Sequence, residues 1–358
     1  MKNNTFRFII LMIAILSLVS CASRKVSQSQ PQSSAPAFHY YYDALSNIEQ
    51  GQLNLALANL DTAIQLRPEF AQFYFVKGQV SELLKDDGQA IRAYEKALAY
   101  KSFFPEVWNH LSNLYMQTGR YQEAVELLKE LTAHQPDSVD FDLRLADAYL
   151  STGQCGLALD RIKYYQARGG ASPDVDRIKG LAYYGERKYQ NTVDFLQPYA
   201  EAHPGNFQVQ KALGIACIKT GALEKGISHL NMALRMNPDD PEIYLYRARY
   251  FIQRNKFPIA MDQLNFALTL DSTSCEILLE KGKFELSRRD TLLAESFFKK
   301  ALIADSSCCD CYKYLGIIQD DLGNSIEAKL YLEHYMNNIY TKDPEVEKRL
   351  ERLRRSER

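Results

Sequence analysis

Nine copies of one 34-residue pattern follow each other without a gap from Ala37 to Lys342, and that period limits the fold more than any other feature of the 358-residue chain. Counting from Ala37, Ala71, Pro105, Val139, Pro173, Phe207, Pro241, Cys275 and Cys309, the eighth residue is always small: Ala44, Gly78, Ser112, Ala146, Gly180, Gly214, Ala248, Gly282 and Gly316. The twentieth is small as well, from Ala56 and Ala90 through Thr192 and Gly226 to Ala328. Two small residues at a fixed interval in every unit mark where two helices approach too closely for longer side chains.

The remaining positions spell a helix–turn–helix. Position 24 is apolar or aromatic throughout, as in Leu60, Tyr94, Leu196 and Phe298. Position 15 is Gly51, Gly119, Gly153, Gly221 or Gly323 in five copies and Asn255 in a sixth, residues that accept the left-handed conformation ending a helix. Pro68, Pro136, Pro204 and Pro238 stop the second helix, and Pro105, Pro173 and Pro241 open the first, where a missing N–H costs nothing. Pro198 falls inside the second helix of repeat 5 and predicts a kink.

Segments such as WNHLSNLYMQTGRYQEAVELLKELTAHQP (108–136) resemble the tetratricopeptide repeat family, and the resemblance covers about 85% of the chain. It implies an all-α fold, a right-handed superhelical solenoid of nine repeats over 37–342, closed by a capping helix over 343–358. Val346, Leu350 and Leu353 at helical spacing suit such a cap, since the last repeat has no neighbour to cover it.

The N-terminus adds a second signal. Lys2 and Arg7 precede an apolar run from Phe8 to Val19, too short for a comfortable membrane span and typical of an export signal over 1–20. Leu18-Val19-Ser20-Cys21 resembles a bacterial lipobox, which implies a lipid on Cys21 and makes the chain similar to bacterial repeat lipoproteins. Ala22 after the cysteine favours the outer membrane facing the periplasm by the same resemblance. Residues 21–36 are Ser/Gln/Pro-rich and read as a disordered tether.

The family lines its concave groove with positions 2, 5, 9, 12 and 13. Repeats 1–3 offer Phe38, Tyr41, Phe75, Asn109 and Asn113 there, a mostly apolar and amide surface. Repeats 5–9 place one base each, Arg177, Lys211, Arg249, Lys283 and Lys313, at one-repeat spacing. Such a ladder suits an extended acidic peptide, or its bases pair with nearby acids such as Asp174 and Asp310 to make a solvated mixed-charge groove. The carboxylate clamp of chaperone-binding relatives does not transfer: Asn113 matches, but Asn109 stands where a lysine is required and Arg144 where a second asparagine is.

Cys275, Cys308, Cys309 and Cys311 form an unusual group, read as a disulfide of Cys275 with Cys308 or Cys309, or as free thiols. No metal is expected, because adjacent cysteines at a helix start rarely converge tetrahedrally. Catalysis finds no support: the six histidines are scattered, and there is no phosphate loop or nucleophile elbow. With 43 Lys+Arg against 44 Asp+Glu, no net field favours nucleic acid. The expectation is a non-enzymatic, membrane-anchored scaffold without cofactor or small-molecule substrate, holding protein or peptide partners in outer-membrane assembly, secretion, motility or cell-wall machinery. The alternative is a periplasmic glycan-binding lipoprotein using Phe38, Tyr41 and Phe75.

Overall fold

The computed structural model describes residues 35–136, 138–339 and 342–356, so the export signal, Cys21 and the tether lie outside the described residues. Each repeat is a helix pair. Unit 1, ending at Ala171, holds α1 (Ala35–Glu49), α2 (Leu53–Leu66), α3 (Ala71–Leu83), α4 (Asp87–Tyr100), α5 (Pro105–Gln117), α6 (Tyr121–His134), α7 (Val139–Ser151) and α8 (Cys155–Ala167). Unit 2, from Ser172, holds α9 (Asp174–Gly185), α10 (Tyr189–Ala202), α11 (Phe207–Lys219), α12 (Leu223–Met236), α13 (Pro241–Gln253), α14 (Phe257–Leu270), α15 (Cys275–Ser287), α16 (Thr291–Ala304), α17 (Cys309–Asp321), α18 (Ser325–Asn337) and α19 (Pro344–Ser356). α10 runs on through Pro198 as one helix. Among the described residues there is no strand, and no helix is long and apolar enough to cross a membrane.

The repeat code now has a physical meaning. Position 8 of the first helix receives the position-24 side chain of the second. A Cβ on Gly282 would lie 2.5 Å from the Phe298 ring, one on Gly78 2.3 Å from Tyr94, and one on Gly316 2.5 Å from Leu332. Position 20 seats against the same place from the other side: a Cβ on Gly226 would stand 3.0 Å from the Gly214 carbonyl oxygen. Position 15 is left-handed in all nine repeats, including the three where the sequence gives no sign of it, Lys85 (φ 60°), Arg187 (φ 59°) and Arg289 (φ 66°).

Each unit has its own core. In unit 1, Asp142 is 1% exposed and accepts hydrogen bonds from Arg161 Nη1 at 3.1 Å and Arg168 Nη1 at 3.0 Å, so a buried charge is held by two bases that reach solvent. In unit 2, Val346, Leu350 and Leu353 of α19 are buried against Ala328, Leu332 and Tyr335 of α18. Asp343 fixes the start of α19, accepting from Lys313 Nζ at 2.6 Å, Tyr335 OH at 3.0 Å and the Val346 N–H at 3.3 Å.

Candidate partner-binding surfaces

The apolar and amide surface expected on repeats 1–3 is only partly free. Phe75 is 2% exposed and packs among Tyr94, Phe104 and His110. It is a core residue, because an aromatic side chain on a helix flanked by other rings gains more by burial than by facing water. Tyr41 is half-buried on Phe73, with ring centroids 5.1 Å apart, and burial pushes its phenol up to about 12. Phe38 is taken up between Phe70 and Phe73. The aromatic platform of the glycan reading is therefore not assembled. Asn109 and Asn113 are exposed, but both accept from Arg144: Asn113 Oδ1 at 2.7 Å, the Asn109 carbonyl at 3.2 Å, and also the Asn109 amide oxygen.

The basic ladder of unit 2 is a set of ion pairs. Arg177 donates to Asp174 within its own repeat at 2.8 Å. The other four reach the start of the following first helix: Lys211 to Asp240 (2.7 Å) and Glu242 (2.8 Å), Arg249 to Glu276 (3.0 Å) and Glu280 (2.9 Å), Lys283 to Asp310 (3.4 Å), Lys313 to Asp343 (2.6 Å). Lys313 pairs with Asp343 and not with Asp310 three residues before it. Burial disfavours the Arg249 guanidinium, yet Glu280, Tyr246 and Glu276 more than offset it and hold its pKa above the ordinary value. These bases stitch each repeat to the next.

A cleft of about 700 Å³ opens within unit 2 between the first helices of consecutive repeats. Tyr184, Tyr189 and Tyr246 line it, with Arg187, Lys219, Arg249 and Lys283 as bases and Glu242, Glu276 and Asp310 as acids. Of the five ladder bases only Arg249 and Lys283 reach it; Arg177, Lys211 and Lys313 do not line it. Sequence reasoning passed over Lys219 and Tyr184, although they sit at groove positions 13 and 12 of their repeats. Lys219 lies 5.8 Å from the Tyr189 ring and 5.5 Å from that of Tyr246. Burial, and then Arg249 beside it, push its ammonium below the ordinary lysine value. Among the described residues neither Lys219 nor Arg187 makes an ion pair, so they are the cleft's available cations. Burial, then Glu242, raises the Tyr184 phenol, whose OH donates to Glu242 at 3.2 Å. The arrangement offers aromatic faces and hydrogen-bond donors; it brings no nucleophile–base pair together.

At the far end of the cleft the cysteines arrange themselves otherwise than the sequence suggests. Cys308 is bonded to Cys311, three residues on. Cys275 stays a thiol, and Cys309 turns its sulfur to the Asn338 carbonyl oxygen at 3.8 Å. The reason is helical geometry: Cys308 caps α17 and Cys311 lies one turn inside it on the same face, whereas Cys309 points round the helix. Burial, then Asp305 and Glu276, raise the Cys275 thiol above its ordinary value.

These helix pairs define an α-helical repeat protein. Two tetratricopeptide repeat models match, one over residues 44–105 and another over 84–140 and 115–179. Among solved structures, the APC/C hetero-tetramer Cut9-Hcn1 is 14% identical, with 96% of this chain and 83% of that one covered at a TM-score of 0.52. A tetratricopeptide repeat protein from Parabacteroides merdae is 16% identical over 70% of this chain and 98% of its own, with a TM-score of 0.47. MamA is 27% identical over 47% of this chain and 99% of its own, with a TM-score of 0.39. No curated protein matches in sequence. The chain belongs to the tetratricopeptide repeat family, whose fold serves as a scaffold for protein interactions and is typically without catalysis of its own.

Proposed function

We propose that this protein is a lipid-anchored scaffold of the bacterial cell envelope, tethered through Cys21 to the outer membrane on its periplasmic side. It holds an extended, carboxylate-bearing segment of a partner protein in the unit 2 cleft. The observation that carries the reading is the pairing pattern within that cleft. Arg249 and Lys283 are neutralised by Glu276, Glu280 and Asp310, while Lys219 and Arg187 stand beside three tyrosine rings without an ion-pair partner. A carboxylate seated there gains charge-assisted hydrogen bonds without breaking an existing pair, and the rings supply amphipathic contact area of the kind that anchors interfaces. The backbone adds a hint: Arg187 is held left-handed at a cost of about 1–2 kcal/mol where six other repeats use Gly or Asn. The lipid anchor is supported by the basic start, the apolar run and Leu18-Val19-Ser20-Cys21.

The test is photo-cross-linking in native membranes from a reactive residue replacing Tyr189, compared with one replacing Asn113. The expected result is a protein adduct from position 189 that disappears in Lys219→Ala/Arg187→Gly and persists in Lys211→Ala. Adducts from position 113 alone would move the site to unit 1 and sink the cleft reading. Cys21→Ser should release the chain from membranes; a chain that stays membrane-bound would refute the anchor.

A further inference from the structure

The cleft's sulfur cluster has a use that partner binding does not explain. Three sulfurs, those of Cys275, Cys308 and Cys311, lie within 4.8 Å of one another. They come from two consecutive repeats: Cys275 opens α15, Cys308 caps α17, and Cys311 follows one turn later. Cys311 is fully buried, Cys308 is 9% exposed and Cys275 is half-buried at the cleft wall, so an ion placed among them is shielded yet reachable. In a tetrahedral thiolate site with metal–sulfur bonds of about 2.3 Å, the sulfurs stand roughly 3.8 Å apart. The observed spacing reaches that by side-chain rotation alone. The geometry points to a thiophilic d10 metal site, with the Zn²⁺ class as ligand and the reduced sulfurs of Cys275, Cys308 and Cys311 as its three protein donors.

Soft sulfur donors select such ions over magnesium or calcium. The helix starts at Cys275 and Cys308 favour the negative charge of a thiolate cluster. The fourth position faces the cleft, leaving it to a water molecule as in open zinc sites. The Cys308–Cys311 disulfide is the oxidised, metal-free form. A dithiol reductant donates two electrons, the S–S bond breaks, and the reductant closes its own disulfide. Zn²⁺ then displaces one proton from each of the three thiols to solvent, giving a singly negative tris-thiolate centre. Cys309 takes no part, because its sulfur is directed at Asn338. The proposal stands independently of the partner reading, since it requires only the fold of unit 2.

The test uses the full chain, reduced with a dithiol and then freed of it anaerobically, titrated with Zn²⁺ and with Co²⁺ as spectroscopic probe. One equivalent should bind, with thiolate-to-cobalt charge-transfer absorption. Zinc should protect Cys275, Cys308 and Cys311, and not Cys309, from alkylation mapped by peptide mass spectrometry, a readout that needs no variant. Cys275→Ser should bind at least tenfold more weakly with unchanged helical circular dichroism, and Cys309→Ser should bind normally. The inference is overturned if the reduced chain takes up no stoichiometric metal, if Cys309 is protected equally, or if Cys275→Ser binds like the parent.

Discussion

Replacing Gly282 by alanine tests the packing rule that builds every repeat. The added methyl would meet three atoms of the Phe298 ring at 2.5, 2.7 and 2.9 Å. The ring cannot yield, because it is fully buried and stacked on Tyr314 with centroids 5.2 Å apart and planes within 10°. Overpacking of this kind costs about 1–3 kcal/mol, while alanine returns about 1 kcal/mol of helix propensity over glycine. The net expectation is a loss of about 1–2 kcal/mol. Phe298→Leu alone should cost about 1–1.5 kcal/mol through lost volume. The two together recreate the small–leucine pair already present as Ala44 with Leu60 and Ala248 with Leu264, so the double variant should lose only about 1 kcal/mol. Urea unfolding followed by helical circular dichroism, with hydrogen exchange to localise the change to α15 and α16, reads the coupling. Additivity within about 0.5 kcal/mol would refute the argument that positions 8 and 24 share one space.

Other outcomes follow from the same structure. Lys85→Gly relieves a left-handed lysine and should stabilise unit 1 by about 0.5–1 kcal/mol, read from the urea midpoint; no gain would mean the turn is not strained. Asp142→Asn should destabilise unit 1 by about 1–3 kcal/mol by removing the charge that Arg161 and Arg168 share, measured as a shift in thermal midpoint. Burial alone would raise the Asp343 carboxyl, but hydrogen bonds from Lys313, the Val346 N–H and Tyr335 hold it below its ordinary value. A depressed carboxyl pKa contributes stability that is present above the unfolded value near 3.9 and lost as pH falls through the folded one. Protection of α19 amides should therefore fall below about pH 4 in the parent, and Asp343→Asn should flatten that dependence.

How far the fold was legible depended on whether a position carries its reason in its own side chain. Glycine and asparagine at position 15 announce a left-handed turn; Lys85, Arg187 and Arg289 adopt it because the flanking helices impose it, which their side chains do not reveal. Val346, Leu350 and Leu353 announced their burial by spacing. The site was harder. Groove positions taken from a repeat register put Phe75 on the surface, although the surrounding rings of Tyr94, Phe104 and His110 draw it inward. The ladder bases were visible, but their partners lie 27 to 31 residues away across a repeat seam, as in Lys283 with Asp310 and Arg249 with Glu280. Local spacing rules do not reach that far. Cysteine pairing failed in the opposite sense: the partner of Cys308 was only one turn away.

The cap on the last repeat also decides how many chains make a particle. Shortened to end before Pro344, the protein would present Ala328, Leu332 and Tyr335 as a bare apolar end and leave the Lys313 ammonium without Asp343. That end is shaped to receive a helix of repeat type, and any chain displaying one would supply it. Contacts of this head-to-tail kind have no rotation that closes them, so they grow into fibres and not into dimers. The thirteen residues of α19 are in that sense a chain terminator: they keep a module built to stack on copies of itself from polymerising.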